Sequence, residues 1–296
     1  MRLTDIHRKD KAMKIFRKIA SVLLALGTAA CFCGCSNGAK PGNIGEVTFA
    51  AGDKIAEITI ENYGVIKAKL LPNVAPNGVE NFVKLAEEGY YDGLKIHRVV
   101  KDCCIQGGSL NGDGTGGKPA INDGKPLDAE TSADARNFYG ALGYANPSGS
   151  IATQFYIVNC KKTQDLSGYD PAKMKAKADE YTAKADALAD ENPEKEGLNA
   201  YAAYYNNMAA MFEKASEDVA AKYATTGGYP FWDGNYTIFG QVYEGLDVVD
   251  KISSVELTTS NTGEISAPVE DIVISSVRIS EYVPPEPESS SSSKKK

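Results

Sequence analysis

The sequence predicts a mainly β fold, a closed antiparallel barrel interrupted by an antiparallel helical hairpin. Two observations predict it. From Glu46 onward, and again over 237–242 and 272–279, short apolar runs alternate with polar residues between turn signals. From 166 to 226 the apolar residues instead recur at threes and fours, the period of helices. Closing the strands into a barrel leaves no exposed edge. The predicted organisation is a signal segment over 1–34, a linker over 35–45, barrel segments over 46–165 and 227–283 on either side of a helical insertion over 166–226, and a tail over 284–296.

The chain starts with charge of one sign. Residues 1–34 carry seven Lys/Arg against two Asp in a protein of net charge −7, which leaves the remainder near −12. An acidic body disfavours nucleic acid, whose binding rests on neutralising phosphates. Met13-Lys-Ile-Phe-Arg-Lys opens a basic segment, and Ile19 to Ala30 is apolar but shorter than the ~20 residues of a permanent membrane span. This pattern reads as an export signal, with 1–12 as an upstream extension. Its end, Cys31-Phe-Cys33-Gly-Cys35-Ser-Asn-Gly, resembles a bacterial lipobox, with Cys35 as the acylated residue and Cys31 as the alternative. An acyl chain there tethers the protein to the outer face of the cytoplasmic membrane. An ordinary cleaved signal with incidental cysteines is the plainer alternative.

Residues 36–45 are rich in small and polar residues and read as a spacer. Ile58 and Ile60, then Ile66, Ala68 and Leu70, alternate with polar residues across a Tyr63-Gly64 turn, which predicts an amphipathic hairpin. Val79, Phe82, Val83 and Ala86 form one helical face, with Asn77 and Glu80 expected to cap its start and Gly89 to end it. Further strands are expected over 96–105, 140–144, 154–158, 237–242 and 272–279, and a short amphipathic helix over 246–252. Gly112-Asp-Gly-Thr-Gly-Gly117 fits GxGxxG, but Lys118-Pro119 and turn residues follow where a dinucleotide site needs a helix start. A Rossmann reading is therefore rejected.

In the insertion, Asp170-Pro171 marks a helix start, and Met174, Ala178, Tyr181, Ala185 and Leu188 form its seam. Asn192-Pro193 restarts the chain, and Leu198, Tyr201, Tyr205, Met208, Phe212, Ala215 and Val219 predict a second, longer helix. The pair reads either as an arm that docks clients or as surface ornament. A docking arm replaced by a short loop leaves rates on short peptides nearly unchanged. The proline- and serine-rich tail has nothing to bury and is expected to be disordered. Cys103, Cys104 and Cys160, the cysteines outside the leader, are too few for a disulfide framework, and adjacent thiols lack the CxxC gap that grips zinc. No metal and no cofactor is called for.

Asn81-Phe82, Ile96-His97-Arg98-Val99-Val100 and Ile105-Gln106-Gly107-Gly108, then Ala145-Asn146, Thr153-Gln154-Phe155-Tyr156-Ile157 and Phe231-Trp232-Asp233-Gly234 through Phe239-Gly240-Gln241-Val242, together resemble the cyclophilin-type peptidyl-prolyl cis-trans isomerases. The resemblance implies an eight-stranded barrel capped by two helices, with the insertion as an addition to it. It implies isomerisation of Xaa-Pro bonds in proline-containing polypeptides, here in exported proteins.

The resemblance places Arg98 at the catalytic arginine, with Gln106 and Gln154 steadying it or binding the substrate backbone, and Ala145 and Asn146 along the peptide. Cys103, Cys104, Tyr156 and Trp232 fall where the family lines its proline pocket, with Phe231 and Tyr236 at the rim. The chain departs from the family at Cys103, Cys104, Tyr156, Phe231 and Tyr236, which implies a smaller and more polar floor. His97 reads as a structural residue. A peptide-binding module that kept the groove without efficient catalysis is the alternative function: the cysteines argue for it, and Arg98, Gln106, Asn146 and Gln154 for the enzyme.

Overall fold

The computed structural model describes residues 42–145 and 150–284. The leader with Cys31 and Cys35, Asn146 and most of the expected tail lie outside the described residues. Twelve strands run β1 (Lys54–Ile60), β2 (Gly64–Leu70), β3 (Ile96–Val100), β4 (Cys104–Gly107), β5 (Leu127–Asp128), β6 (Ala141–Tyr144), β7 (Ser150–Ile151), β8 (Phe155–Val158), β9 (Ile238–Glu244), β10 (Leu257–Thr259), β11 (Ile265–Pro268) and β12 (Ile274–Glu281). The helices are α1 (Pro76–Glu87), α2 (Pro171–Asp186), α3 (Pro193–Glu213), α4 (Glu217–Thr226) and α5 (Leu246–Ser253).

Eight strands form one antiparallel sheet in the order β12-β1-β2-β9-β6-β8-β4-β3. The expected first hairpin sets Ile58 opposite Ile66 and Ala56 opposite Ala68, all fully buried. The sheet curls until its outer strands meet at one end. There Gly93 N and Ile96 N donate to Ile274 O and Ile272 O, and Ile274 N donates to Leu94 O. A single bridge, Lys95 to Val273, accompanies them where a fully closed barrel has a β3–β12 ladder. Helix α1 packs on β12 and β9, α5 on β2, and Phe82 of α1 sits 5.0 Å from the Phe239 ring inside the curl.

The cap of α1 is not the expected one. Ala75 is the N-cap and makes no side-chain bond. Instead the Glu130 carboxylate accepts from Asn77 N (3.1 Å), Asn77 Nδ2 (2.8 Å) and Gly78 N (2.8 Å), closing the helix start from a distant loop. An anion suits the free N–H groups and positive end of a helix.

In the insertion, Asp170 and Asn192 cap α2 and α3 through Ala172 N and Glu194 N, and Tyr181 of α2 stacks on Tyr201 and Tyr205 of α3. The expected long second helix is two. It ends at Glu213, and Ser216 accepts from Val219 N to start α4, whose first turn carries Glu217 and Asp218. A cap and two acids at a new start outweigh the continuity of the apolar seam.

Candidate functional site

The sheet register builds the site. Arg98 pairs with Gln106, Gln106 with Tyr156, Tyr156 with Gly143, and Gly143 with Ile238, so these residues form a row across β3, β4, β8, β6 and β9. Side chains alternate across each strand. Ile105, Phe155 and Ile157 therefore enter the main core inside the curl, while Cys104, Tyr156 and Val158 join a second apolar cluster with Trp232 on the opposite face.

Two glycines permit the close packing. A Cβ on Gly143 would stand 2.5 Å from the Tyr156 ring. Gly108, at φ +84°, turns the chain out of β4, and a Cβ there would stand 2.5 Å from Thr153 O. Only glycine adopts that backbone at no steric cost.

A cavity of about 500 Å³ opens on this face. Its floor is Cys104, Tyr156, Trp232 and Tyr236, and its polar side is His97, Arg98, Gln106 and Gln154, with Ala145 at one end. Trp232 meets Tyr156 and Tyr236 at 5.1 Å each. The Tyr156 hydroxyl does not make the floor polar, because it points away and donates to Asn137 Oδ1 (2.7 Å). A buried hydroxyl with a partner leaves the rest of its ring as an apolar surface.

Two residues expected at the pocket stand outside it. Cys103 lies behind the floor in the same cluster, because alternation at the start of β4 turns Cys104 toward the cavity. Phe231 turns toward the insertion and meets Tyr169 at 5.5 Å. Tyr229, which no sequence pattern marks, meets the Trp232 ring at 4.8 Å, tilted by 59°.

The polar side is one hydrogen-bonded chain. Arg98 Nη1 donates to Gln106 Oε1 (3.2 Å), Gln106 Nε2 to Gln154 Oε1 (3.0 Å), and Gln154 Nε2 to Gly114 O (2.8 Å). The other edge of Arg98 meets Glu264. Nε donates to Oε2 (2.7 Å) and Nη2 to Oε1 (2.9 Å).

Burial works against the Arg98 charge, but the bond to Glu264, together with the neighbouring Cys104, the Glu264 charge and Cys103, outweighs it and raises the arginine above its ordinary value. The same bond, opposed by burial, holds the Glu264 carboxyl below its own. Burial, aided by the Arg98 charge, lowers His97 to about 4. His97 is therefore neutral at neutral pH; among the described residues no hydrogen bond of ordinary geometry reaches either ring nitrogen, although the Lys95 backbone and the Gln154 side chain lie near enough to oppose the shift.

The wall carrying Glu264 was not foreseen. Strands β10 and β11 make a small hairpin whose residues Thr259 to Thr262, Glu264, Ser266 and Ala267 face the cavity. The glycine loop forms the facing wall through Gly112 to Thr115, and Asn261 Nδ2 donates to Asp113 O (3.3 Å) between the two. Thr258-Thr259 and Ile265 around Asn261-Thr262-Gly263 are the one sequence signal that could have found the hairpin.

Behind the floor, the insertion grips the Trp232 block. Tyr204 Oη donates to Phe231 O (2.8 Å), Asn207 Nδ2 to Asn235 Oδ1 (3.1 Å), and Tyr223 Oη to the Asp233 carboxylate (2.9 Å). Arg136, buried, donates from Nη1 to Asp233 (3.3 Å) and from Nη2 to Met211 O (3.0 Å). Asn137 joins Asp233 to Tyr156 through Nδ2 and Oδ1.

The chain matches the sequence profile of the family "Cyclophilin type peptidyl-prolyl cis-trans isomerase/CLD" over residues 55–183 and 171–279. A Staphylococcus saprophyticus protein named "Putative peptidyl-prolyl cis-trans isomerase" is 33% identical over 231 residues, covering 78% of this chain and 94% of that one. Its Staphylococcus aureus (strain USA300) namesake is 33% identical over 74% of this chain and 89% of its own. A Cryptosporidium parvum cyclophilin type peptidyl-prolyl cis-trans isomerase, solved in the presence of the dipeptide Ala-Pro, superposes with a TM-score of 0.47 at 19% identity, covering 76% of this chain and 98% of that one. The profile and the relatives, spanning most of the length on both sides, show that this chain belongs to the cyclophilin-type peptidyl-prolyl cis-trans isomerases.

Proposed function

We propose that the groove beside Arg98 accelerates cis/trans rotation of Xaa-Pro bonds in polypeptides. The observation that carries this reading is a permanently charged guanidinium, held along a hydrogen-bonded chain, at the edge of an aromatic and thiol floor wide enough for a proline ring. Rotation must break amide resonance, a barrier of ~18 to 20 kcal/mol, while cis and trans differ by only ~0.5 to 1 kcal/mol. No bond to carbon is made or broken, so neither nucleophile nor proton transfer is needed. In the twisted amide the prolyl nitrogen gains a lone pair, and a fixed cationic donor favours that state over either planar one.

The floor holds the ring while the peptide turns about it. Gln106 holds Arg98, and Gln154 ties Gln106 to the glycine loop. His97, neutral at neutral pH, supplies no acid.

Exchange of Xaa-Pro tetrapeptides should be faster with the protein than without. Arg98→Ala should lower that rate by about 10²-fold or more, the usual cost of one such donor, with the fold intact by circular dichroism. A folded wild type that binds peptide without accelerating exchange would make this a binding module.

The export reading of the leader suggests that the substrates are proteins folding outside the cytoplasm and that Cys35 is acylated. Detergent partitioning of the full chain in a bacterial host, lost in Cys35→Ser, tests the anchor. An unacylated mature N-terminus by intact mass would remove it.

A further inference from the structure

We propose that Glu264 is a positioning residue for Arg98, setting the face that the guanidinium presents to the prolyl amide. The inference rests on the isomerase reading and adds a residue that no motif marks. Glu264 takes two donors side-on, Nε at 2.7 Å and Nη2 at 2.9 Å. Nη1 is left to Gln106 at 3.2 Å and to the Cys104 sulfur at 3.8 Å. Held at both edges, the guanidinium plane cannot swing about its long side chain. A bidentate carboxylate fixes orientation as well as charge, which a single contact or a lysine cannot do.

The backbone beneath the carboxylate is itself held. Glu264 O accepts from Ser260 N (2.8 Å), and Gly263 N donates to Ser260 O (3.0 Å), so Glu264 projects from a tight turn into β11, which packs on β3. The pair is partly shielded, at 24% and 37% side-chain exposure for Arg98 and Glu264. The hairpin does not depend on it. Asn261 Nδ2 to Asp113 O, Val269 N to Glu256 O and the β10–β11 ladder fasten the same segment independently. Removing the carboxylate should free the arginine while leaving the wall in place.

The pair could act in the opposite sense. A carboxylate on the catalytic cation also drains charge from it, so a brake is the competing outcome. Orientation should dominate, because differential stabilisation of the twisted amide needs a donor aimed at one atom, and misplacement by about 1 Å can cost about 10²-fold.

The experiment measures kcat and KM separately for an Xaa-Pro tetrapeptide in wild type, Glu264→Gln, Glu264→Asp, Arg98→Ala and the Arg98→Ala/Glu264→Gln double variant. Peptide affinity is read independently from the fluorescence of Trp232, the protein's sole tryptophan. Glu264→Gln should lower kcat about tenfold with affinity and KM within twofold, Glu264→Asp should recover part of the loss, and the double variant should match Arg98→Ala. Glu264→Gln as fast as or faster than wild type would overturn the proposal and make the carboxylate a stitch or a brake. Equal losses from Glu264→Gln with and without Arg98, together with a lowered melting temperature, would overturn it in favour of a structural role. A wild type no faster than the uncatalysed reaction would fail the isomerase reading itself, and this inference with it.

Discussion

The hydroxyl of Tyr223 stands 2.9 Å from both carboxylate oxygens of Asp233 and ties the last inserted helix to the block that carries Trp232. Asp233 is fully enclosed, and burial raises its carboxyl above the ordinary value while Arg136, Asn137 and Tyr223 pull it back. Every donor around it therefore matters. Tyr223→Phe should cost about 1 to 3 kcal/mol, the penalty of leaving a buried acceptor short, seen as a lower urea midpoint. It should also shift the Trp232 emission. An unchanged midpoint would show that Arg136 and Asn137 hold Asp233 without help.

Replacing residues 166–226 by a Gly-Ser loop gives the second prediction. As a docking arm or as ornament, the two readings the sequence leaves open, the helices should leave rates on short peptides nearly untouched. The bonds of Tyr204, Asn207 and Tyr223 to the block that carries Trp232, and of Met211 to the buried Arg136 behind it, lead to the opposite expectation. Exchange of tetrapeptides and proline-limited refolding of a whole protein should fall together. Loss on the whole protein alone would restore the docking arm.

His97 should make stability depend on pH in one window. Burial holds its folded value near 4, with the Lys95 backbone, Asp113 and Gln154 opposing the effect and the Arg98 charge adding to it. The unfolded ring titrates near 6.5, so between those values the unfolded chain binds the extra proton. Stability is full above about pH 6.5 and falls toward pH 4 by at most about 1.4 kcal/mol per unit. Denaturant titrations across pH 4 to 7 should show this slope in wild type and a flatter line in His97→Gln. Parallel lines would mean that His97 keeps an ordinary value in the fold.

The first hairpin was legible because its apolar and polar residues alternate, one face dry and the other facing water. Ile58 and Ile66 announce themselves without knowledge of their partners. The row Arg98, Gln106, Tyr156 was legible through motif resemblance, and pairing register then brings it together. What sequence could not supply are bonds between residues far apart in the chain. Glu130 caps a helix 53 residues away, and Glu264 meets an arginine 166 residues away, with no local pattern at either carboxylate. The break at Ser216 was missed for the reverse reason, since an apolar seam running through Ala215 to Val219 masked a capping serine. Phe231 was placed by analogy with the pocket, but the insertion offered its ring another surface.

Cys103, Cys104 and Cys160 are free, buried thiols at 7%, 1% and 2% exposure, Cys104 in the cavity floor and the other two behind it. The neighbouring Cys104 and burial hold the Cys103 thiol above its ordinary value, which keeps it from forming the thiolate that alkylating reagents attack. Modification of Cys103 must then wait for the apolar cluster that buries it to open. The speed at which an alkylating reagent consumes these sulfurs becomes a clock for that opening, kept by the protein itself and readable by mass without any added label. Saturating the groove with a proline peptide should slow the clock for Cys104, which lies on the floor, more than for Cys160 at the far side of the cluster.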